Sequence, residues 1–244
     1  MKKLFAIIII LLLSTSFSYA KDFQITNIFG ALLQSELESL TEELGVAIAF
    51  NPMAPAEPLG ITGFDISTEV VYTNFHDGDL YWKKVVKDYD TFSSIIIPRI
   101  HVQKGLPFNI DIGAMYVAVP DSNIKLWGLE AKYAILEGTV VTPALSVRAA
   151  YSSLEGVDDI ELSTKEFDVL ISKGFLMITP YAGLSAIMID GSEESPLIAL
   201  DDVNKTVYRA LIGLQISPFP LVVINGEVSL GQVAQYGLKV GIRF

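Results

Sequence analysis

The sequence predicts an all-β fold: a closed, antiparallel, up-and-down transmembrane β-barrel of about ten strands with a short N-terminal helical segment. Three observations predict it. From Gly63 to Phe244 the hydrophobic pattern has a period of two. Most of these segments run for about a dozen residues, which exceeds the usual length in soluble sheets and suits a tilted membrane-spanning strand. The connections between them alternate between longer and tight.

The alternation of connections separates a membrane barrel from a soluble two-sheet sandwich, the competing interpretation. The odd-numbered connections are mostly longer and acidic, such as 76–90 and 190–204, whereas the even-numbered ones are tight, such as 105–107 and 137–139. An up-and-down barrel in a membrane has this parity, and a sandwich has no reason for it. The predicted strands cover residues 63–75, 91–104, 108–119, 123–136, 140–153, 161–172, 176–189, 205–217, 220–231 and 233–244.

The first 20 residues have the pattern of a secretory signal peptide. Two lysines precede an apolar run from Leu4 to Leu13, and Ala20 supplies a small residue for cleavage. A retained anchor helix is the alternative, but the apolar run is shorter than the roughly 20 residues that cross a bilayer. The pattern predicts export, cleavage near Ala20 and a place in the outer membrane of a Gram-negative bacterium.

Composition excludes several classes of function. The chain has no cysteine, so disulfides and thiolate metal sites are ruled out. A formal net charge of −11 argues against nucleic acid as a partner. Hydrophobic residues make up 51% of the chain, and this apolar surface needs either a large core or a lipid environment. Outer-membrane lipid and lipopolysaccharide are therefore the expected surroundings, while the oligomeric state stays open.

Residues 21–62 form a separate segment ahead of the predicted barrel, 63–244. Leu33, Leu37, Leu40 and Leu44 lie at helical spacing, and residues 51–58 contain three prolines that end the helix in a stiff linker. The helix could cap the periplasmic mouth, plug the lumen or bind a periplasmic partner. Its leucine stripe needs an apolar surface, whereas the lumen lining predicted below is mainly polar, so capping is favoured.

Alternation assigns apolar residues to the lipid-facing side of three strands and polar or small residues to the lumen. Trp127, Leu129 and Tyr133 oppose Gly128 and Glu130, for example. The lumen could be packed and salt-bridged, could form a hydrated path for small solutes, or could hold a ligand near one mouth. The predicted lumen-lining residues are Arg99, His101, Asp111, Glu130, Lys132, Arg148, Glu166, Asp168, Arg209, Glu227, Lys239 and Arg243, with Asp65 and Glu69 beside them.

Two resemblances accompany this pattern. The last strand resembles the assembly signal of outer-membrane barrels, with apolar residues at Tyr236, Leu238, Val240 and Ile242 and a terminal Phe244. That resemblance implies recognition by the barrel-assembly machinery. Segments 98–108, 126–138 and 172–183 are similar to an uncharacterised proteobacterial outer-membrane barrel family. This second resemblance implies the barrel architecture and no activity, cofactor or functional residue.

Residues that could carry chemistry are few. His76 with Asp77 and Asp79 is the one arrangement that an omptin-like surface protease could use, and it is also ordinary loop composition. His101 is interpreted as a hydrogen-bonded wall residue. The loop 76–90 is interpreted either as an interfacial helix or as a lid on the barrel mouth. Acidic clusters, whose spacing matches no calcium loop, are interpreted as solvated: Asp77, Asp79, Asp88, Asp90, Asp190, Glu193, Glu194, Asp201 and Asp202.

The sequence thus favours an integral outer-membrane barrel with a structural or surface-interaction role, a narrow salt-bridged lumen and no catalytic, cofactor or metal site. A narrow channel or transporter for small solutes, gated by the N-terminal segment, is the alternative, and the surface protease is a remote one. Wide aqueous pores need more than about ten strands, which favours the closed barrel. The helix and its proline-rich linker favour the gated channel, because a passive barrel has little need of them.

Overall fold

The structure is a computed structural model that describes residues 34–75, 94–118, 123–157, 160–193 and 201–244. The leader, Leu33, and the loop 76–90 with His76 and its acidic neighbours lie outside the described residues, as does Glu194. No helix in the described ranges has the length and hydrophobicity needed to cross a bilayer. The helix α1 covers Gln34–Ile48, and a short 3-10 turn covers Pro107–Asn109.

Ten strands follow the helix. They are β1 Phe64–Asn74, β2 Ser94–Leu106, β3 Ile110–Ala118, β4 Lys125–Glu137, β5 Ala144–Glu155, β6 Ile160–Ser172, β7 Ile178–Glu193, β8 Val203–Phe219, β9 Val222–Leu230 and β10 Ala234–Arg243. Each strand pairs antiparallel with its neighbours in sequence, and β1 pairs with β10 from Asp65–Arg243 to Asn74–Ala234. The predicted fold class, a closed up-and-down barrel of about ten strands, is confirmed.

The two ends of the barrel differ in their connections. The turns β2–β3, β4–β5, β6–β7 and β8–β9 lie at one end, which is called the tight-turn end. The opposite end, called the long-loop end, carries the remaining connections. The observed strands start or stop up to four residues from the predicted positions. The difference reaches four residues at the start of β5 and at the end of β7, and because β7 runs to Glu193, Asp190 lies in a strand and not in a loop.

The wall has an apolar outside and a polar inside over the half near the tight turns. In β4, Leu129 and Tyr133 are about half exposed on the outer face, while Glu130 and Lys132 are buried on the inner face. Strands β5 and β10 show the alternation that the sequence predicted for them. Side chains that would be unfavourable in water therefore form the exterior, as a lipid environment requires.

Near the long-loop end this polarity is reversed on β6 and β7. Ser163, Lys165 and Asp190 lie on the outer face there, while neighbouring inner positions are apolar. The lumen is consequently divided into two parts. The part near the long loops, called the apolar chamber, is walled by Ile97, Met115, Leu126, Leu162, Ile187, Ile189, Val203, Val207 and Val233. The part near the tight turns, called the charged chamber, contains the buried charged residues of the wall.

Candidate functional site: a lumen filled by the N-terminal segment

The apolar chamber holds helix α1. Leu37 and Leu40 are buried against its wall, together with Val46 and Ile48 at the end of the helix. Gly45 packs closely against the wall, because a Cβ atom at that position would lie 2.4 Å from Cγ2 of Ile189. The helix is thus packed inside the barrel at the long-loop end, like a core helix in a soluble protein.

The prediction that the helix caps the periplasmic mouth is therefore wrong. That prediction depended on a uniformly polar lumen, which would offer no surface for the leucine stripe. The reversal of polarity near the long loops supplies an apolar surface inside the barrel. Burial of the stripe there removes it from water, at about 25 cal/mol per Å² of apolar area.

From Ala49 to Gly60 the chain has no regular secondary structure and crosses the charged chamber toward the tight-turn end. We call residues 34–60 the plug. Hydrogen bonds to four wall residues fix the part of the plug between residues 53 and 59. Met53 N–H donates to Glu227 Oε2 at 3.1 Å, and Ala56 N–H donates to Ser172 Oγ at 3.1 Å. Leu59 N–H donates to Asp111 Oδ1 at 3.0 Å. Lys132 Nζ donates to the carbonyls of Pro55 and Glu57 at 3.1 and 2.9 Å.

The proline content of the plug explains why its partners are charged wall residues. Pro52, Pro55 and Pro58 have no N–H group, so an extended chain containing them cannot pair as a strand along its length. Its buried carbonyl groups still need donors, because an unpaired backbone polar group inside a protein is costly. The lysine and arginine side chains of the wall supply these donors.

The tightest part of the plug is Ala49–Phe50–Asn51, which we call the latch. Phe50 is fully buried between two guanidinium groups, with its ring centroid 5.0 Å from Cζ of Arg148 and 5.7 Å from Cζ of Arg99. Arg99 donates to the carbonyl of Ala49 at 3.2 Å and to Asn51 Oδ1 at 3.1 Å, and Arg148 donates to the carbonyl of Phe50. Both backbone and side chain of the latch are therefore held.

Carboxylates of the wall orient the two arginines. Glu69 Oε2 accepts from Arg99 Nε at 2.7 Å. Glu130 Oε2 accepts from Arg148 Nε at 2.5 Å, and Asp168 Oδ2 accepts from Arg148 Nη1 at the same distance. Every side chain in this network is at most a few per cent exposed. Buried charges are tolerated when they are paired in this way, and the loss of one partner is costly.

His101 joins the two halves of the network. Its Nδ1 lies 2.6 Å from Glu69 Oε1 and its Nε2 lies 2.9 Å from Glu130 Oε1. Only the imidazolium form donates from both nitrogens, so this geometry fits a cation between two carboxylates. The ring also packs edge-on against Phe50, with centroids 4.8 Å apart. Because both nitrogens are engaged and the residue is fully buried, His101 has no open face for a substrate.

The structure brings most of the predicted lumen-lining residues together. Eleven of the twelve are buried on the inner face, and Arg243 is half-buried at the tight-turn end. Lys239 pairs with Asp65 at 3.4 Å, and Arg209 pairs with Glu166. Asp190, predicted as part of a solvated acidic loop, instead pairs with Lys165 on the outer face of the wall at 2.8 Å. Within the described ranges, no cluster of His, Asp or Glu is arranged to hold a metal ion.

Sequence reasoning did not identify Phe50 or Asn51 as part of this site. Gln235 bridges helix and wall, since its Nε2 donates to the carbonyl of Val46 at 3.0 Å and its Oε1 accepts from Asn51 Nδ2 at 3.1 Å. One signal was available. An aromatic residue directly before the proline-rich stretch, opposite a wall with several arginines, is a typical cation–π partner.

Comparison with known proteins gives no family. No protein-family model matches the chain, and no curated protein matches it. Solved structures of barrels do match. Ail of Yersinia pestis is 13% identical over 75% of this chain and 98% of its own, with a TM-score of 0.35. Neisserial surface protein A is 10% identical over 74% and 95%, with a TM-score of 0.34. The translocator domain of NalP from Neisseria meningitidis is 11% identical over 86% and 94%, with a TM-score of 0.41. The likeness is confined to the fold.

Proposed function

We propose that the chain is an integral outer-membrane β-barrel protein that its own plug keeps closed, and that it serves as a structural or surface-interaction barrel without catalysis. The observation that carries this proposal is the filled lumen. The plug crosses the lumen from the apolar chamber to the tight-turn end and is held by hydrogen bonds at several levels. A barrel filled in this way acts through its outer surfaces and loops.

The exterior supports the membrane location. Leu184, Tyr208 and Ile212 are 67, 73 and 65% exposed on the outer faces of β7 and β8. A continuous apolar exterior on a closed barrel with a polar interior is typical of bacterial outer-membrane proteins. Export by the leader 1–20 and recognition of β10 by the barrel-assembly machinery belong to the same proposal. Tyr236 and Leu238 of β10 are exposed on its outer face, and Phe244 directly after the strand is exposed as well, where a recognition surface would have to be.

A gated channel or transporter for small solutes is the second candidate. Seven buried wall atoms have no hydrogen-bond partner among the described residues, and they include Glu166 Oε2, Arg209 Nε and Glu227 Oε1. Buried polar atoms of this kind are usually satisfied by internal water. A hydrated region beside the plug is what a solute path would need once the plug moved.

A disulfide between the plug and the wall separates the two candidates. A Cβ atom at Gly191 would lie 2.5 Å from Cγ2 and 3.4 Å from Oγ1 of Thr41, so a cysteine pair at these positions suits a disulfide. The chain has no cysteine of its own to interfere. The assay is ion conductance across a planar lipid bilayer. It compares the native chain with the Thr41→Cys/Gly191→Cys chain, measured both oxidised and reduced. Each single cysteine variant is a control.

A closed barrel gives no conductance from the native chain or from either redox state of the cysteine pair. Conductance that appears in the native chain and in the reduced pair, and vanishes on oxidation, would show that plug movement opens the lumen and would favour the gated channel. Steady conductance that persists in the oxidised pair would contradict both candidates, because it would mean that the fixed plug leaves an open path.

A further inference from the structure

The tight turns carry apolar side chains at their tips. We call residues 107–109, 138–143, 173–177 and 218–221 the tight-turn rim. Val140 and Val141 are 95 and 85% exposed, and Phe108 is 86% exposed. Leu176 and Phe219 are also exposed. Turns in water usually have polar residues at such positions, so an apolar tip on every tight turn needs an explanation.

Most backbone polar groups of the turn 139–142 have hydrogen-bond partners within the protein. Thr139 Oγ1 accepts from the N–H groups of Val141 and Thr142 at 3.1 and 3.0 Å. Thr139 N–H donates to the carbonyl of Thr142 at 3.0 Å. Lys173 Nζ donates to the carbonyls of Thr139, Val140 and Thr142 at 2.7, 2.8 and 3.1 Å. A turn in water has no need of such extensive internal pairing, whereas a turn at the edge of an apolar medium gains from it.

The same arrangement occurs at a second place on this end of the barrel. Lys104 Nζ donates to the carbonyls of Ile61, Gly63 and Gly105 at 2.5, 3.1 and 2.8 Å, while Ile61 exposes its side chain. In the turn after β6, Phe175 and Ile178 exchange N–H···O bonds at 2.7 and 3.0 Å. Lysines are thus directed onto backbone carbonyls, and the side chains that face outward are apolar.

The height of the wall indicates what covers the rim. Strand β9 has nine residues, which at a usual rise and tilt span about 20 Å, less than the roughly 25 Å apolar band of outer-membrane barrels. Phe219, the last residue of β8, pairs with Val222 at the start of β9, and Leu221 lies in the turn between them. Both Phe219 and Leu221 are exposed, so the rim continues the lipid-facing wall at the end of this short strand.

We propose that the tight-turn rim is a lipid-binding surface, immersed at the boundary between the headgroups and the hydrocarbon of the adjacent leaflet. This inference rests on the proposed membrane location of the barrel. Lipid is favoured over a protein partner because the rim is continuous with the lipid-facing wall and because it surrounds the barrel on successive turns.

Cysteine reactivity in lipid nanodiscs tests the proposal, because both membrane faces are then open to reagent. The full chain with Val141→Cys is treated with a water-soluble maleimide. Leu184→Cys, in the middle of the outer wall, is the lipid control, and Asn204→Cys, exposed on the outer face at the long-loop end, is the aqueous control. We expect Val141→Cys to react at least tenfold more slowly than Asn204→Cys. In a second measurement, an environment-sensitive fluorophore is attached to each cysteine variant in urea before refolding. Brominated lipid should quench the fluorophore at positions 141 and 184 but not at position 204.

Each other outcome contradicts a different step. Fast labelling at Val141→Cys with protection at Leu184→Cys would overturn the lipid-binding rim and leave the membrane location intact. Fast labelling at both positions would overturn the membrane location as well. Protection of Val141→Cys in whole cells but not in nanodiscs would also overturn the proposal, since it would show that a protein partner, and not lipid, covers the rim.

Discussion

Replacement of Phe50 by alanine is expected to loosen the plug while the barrel stays folded. Phe50 is fully buried and is the centre of the latch, where it contacts Arg99, Arg148 and His101. Buried Phe→Ala substitutions cost about 3–5 kcal/mol, because the transfer free energy of the ring and a cavity term both contribute. The interactions among wall strands are untouched by the substitution, so most of this cost falls on docking of the plug.

Each 1.4 kcal/mol changes an equilibrium constant tenfold. A loss of about 3–5 kcal/mol in docking energy therefore raises the population of undocked plug by a factor of about 10² to about 4 × 10³. The readout is a cysteine in place of Ala54, which is 3% exposed in the plug. Its reaction with a water-soluble maleimide requires undocking, so the labelling rate reports the open population. We expect labelling of Ala54→Cys to accelerate by that factor in the Phe50→Ala background.

Phe167→Ala is the matched control, because Phe167 lies on the outer face of β6 and is 52% exposed toward lipid. It removes the same ring from a position that does not contact the plug, so the labelling rate at position 54 should change less than about threefold. An equal labelling rate in the Phe50→Ala and native backgrounds would refute the reasoning, since the latch would then contribute nothing to docking. Equal acceleration by both substitutions would show a general loosening of the barrel instead.

Two further pairs of substitutions test the packing of the lumen, with the free energy of unfolding measured by urea titration in lipid vesicles. Gly213→Ala should cost about 1–3 kcal/mol, because its Cβ would lie 2.1 Å from Cζ of Tyr181, whereas Gly226→Ala, with no atom within 4 Å, should change little. Arg148→Met should cost about 3–5 kcal/mol, because it removes the buried guanidinium that neutralises Glu130 and Asp168 and donates to the latch carbonyl. Arg243→Met, at a half-buried position, should cost about 1 kcal/mol. Equal costs within either pair would contradict this account of the interior.

The strands were predictable because two environments act on alternate residues. Lipid outside and a charged lumen inside leave a clear period of two, which assigned the faces of β4, β5 and β10. The ends of β7 and β8 were less predictable. Asp190 was interpreted as a loop residue, but it lies on the outer face of a strand that continues past the apolar band. Polarity at that level marks where the wall leaves the lipid and does not mark the end of the strand.

The position of the helix was not predicted, because the lumen was treated as a single environment. Its signal lay in the inner faces of strands near the long loops, where Leu162, Ile187 and Ile189 alternate with polar residues such as Ser163 and Asp190. When one strand is considered alone, this pattern looks like a shift by one residue in which side chains face the lumen. Only the pairing of strands shows that these residues form one apolar chamber, and that information is not present in a single sequence.

The order of the chain restricts how the plug could move. Residues 49–60 cross the whole charged chamber and join β1 at the tight-turn end, where Gly63 N–H donates to the carbonyl of Gly60 at 2.9 Å. Release of α1 toward the long loops would leave residues 49–60 in the lumen, so it would not open a path. Withdrawal toward the tight turns would clear the lumen, but it would move the apolar face of α1 past buried charges such as Arg148 and Glu130. That passage exposes apolar area to a charged wall and breaks the latch at the same time, so the closed barrel is the stable state and any opening has to supply both costs.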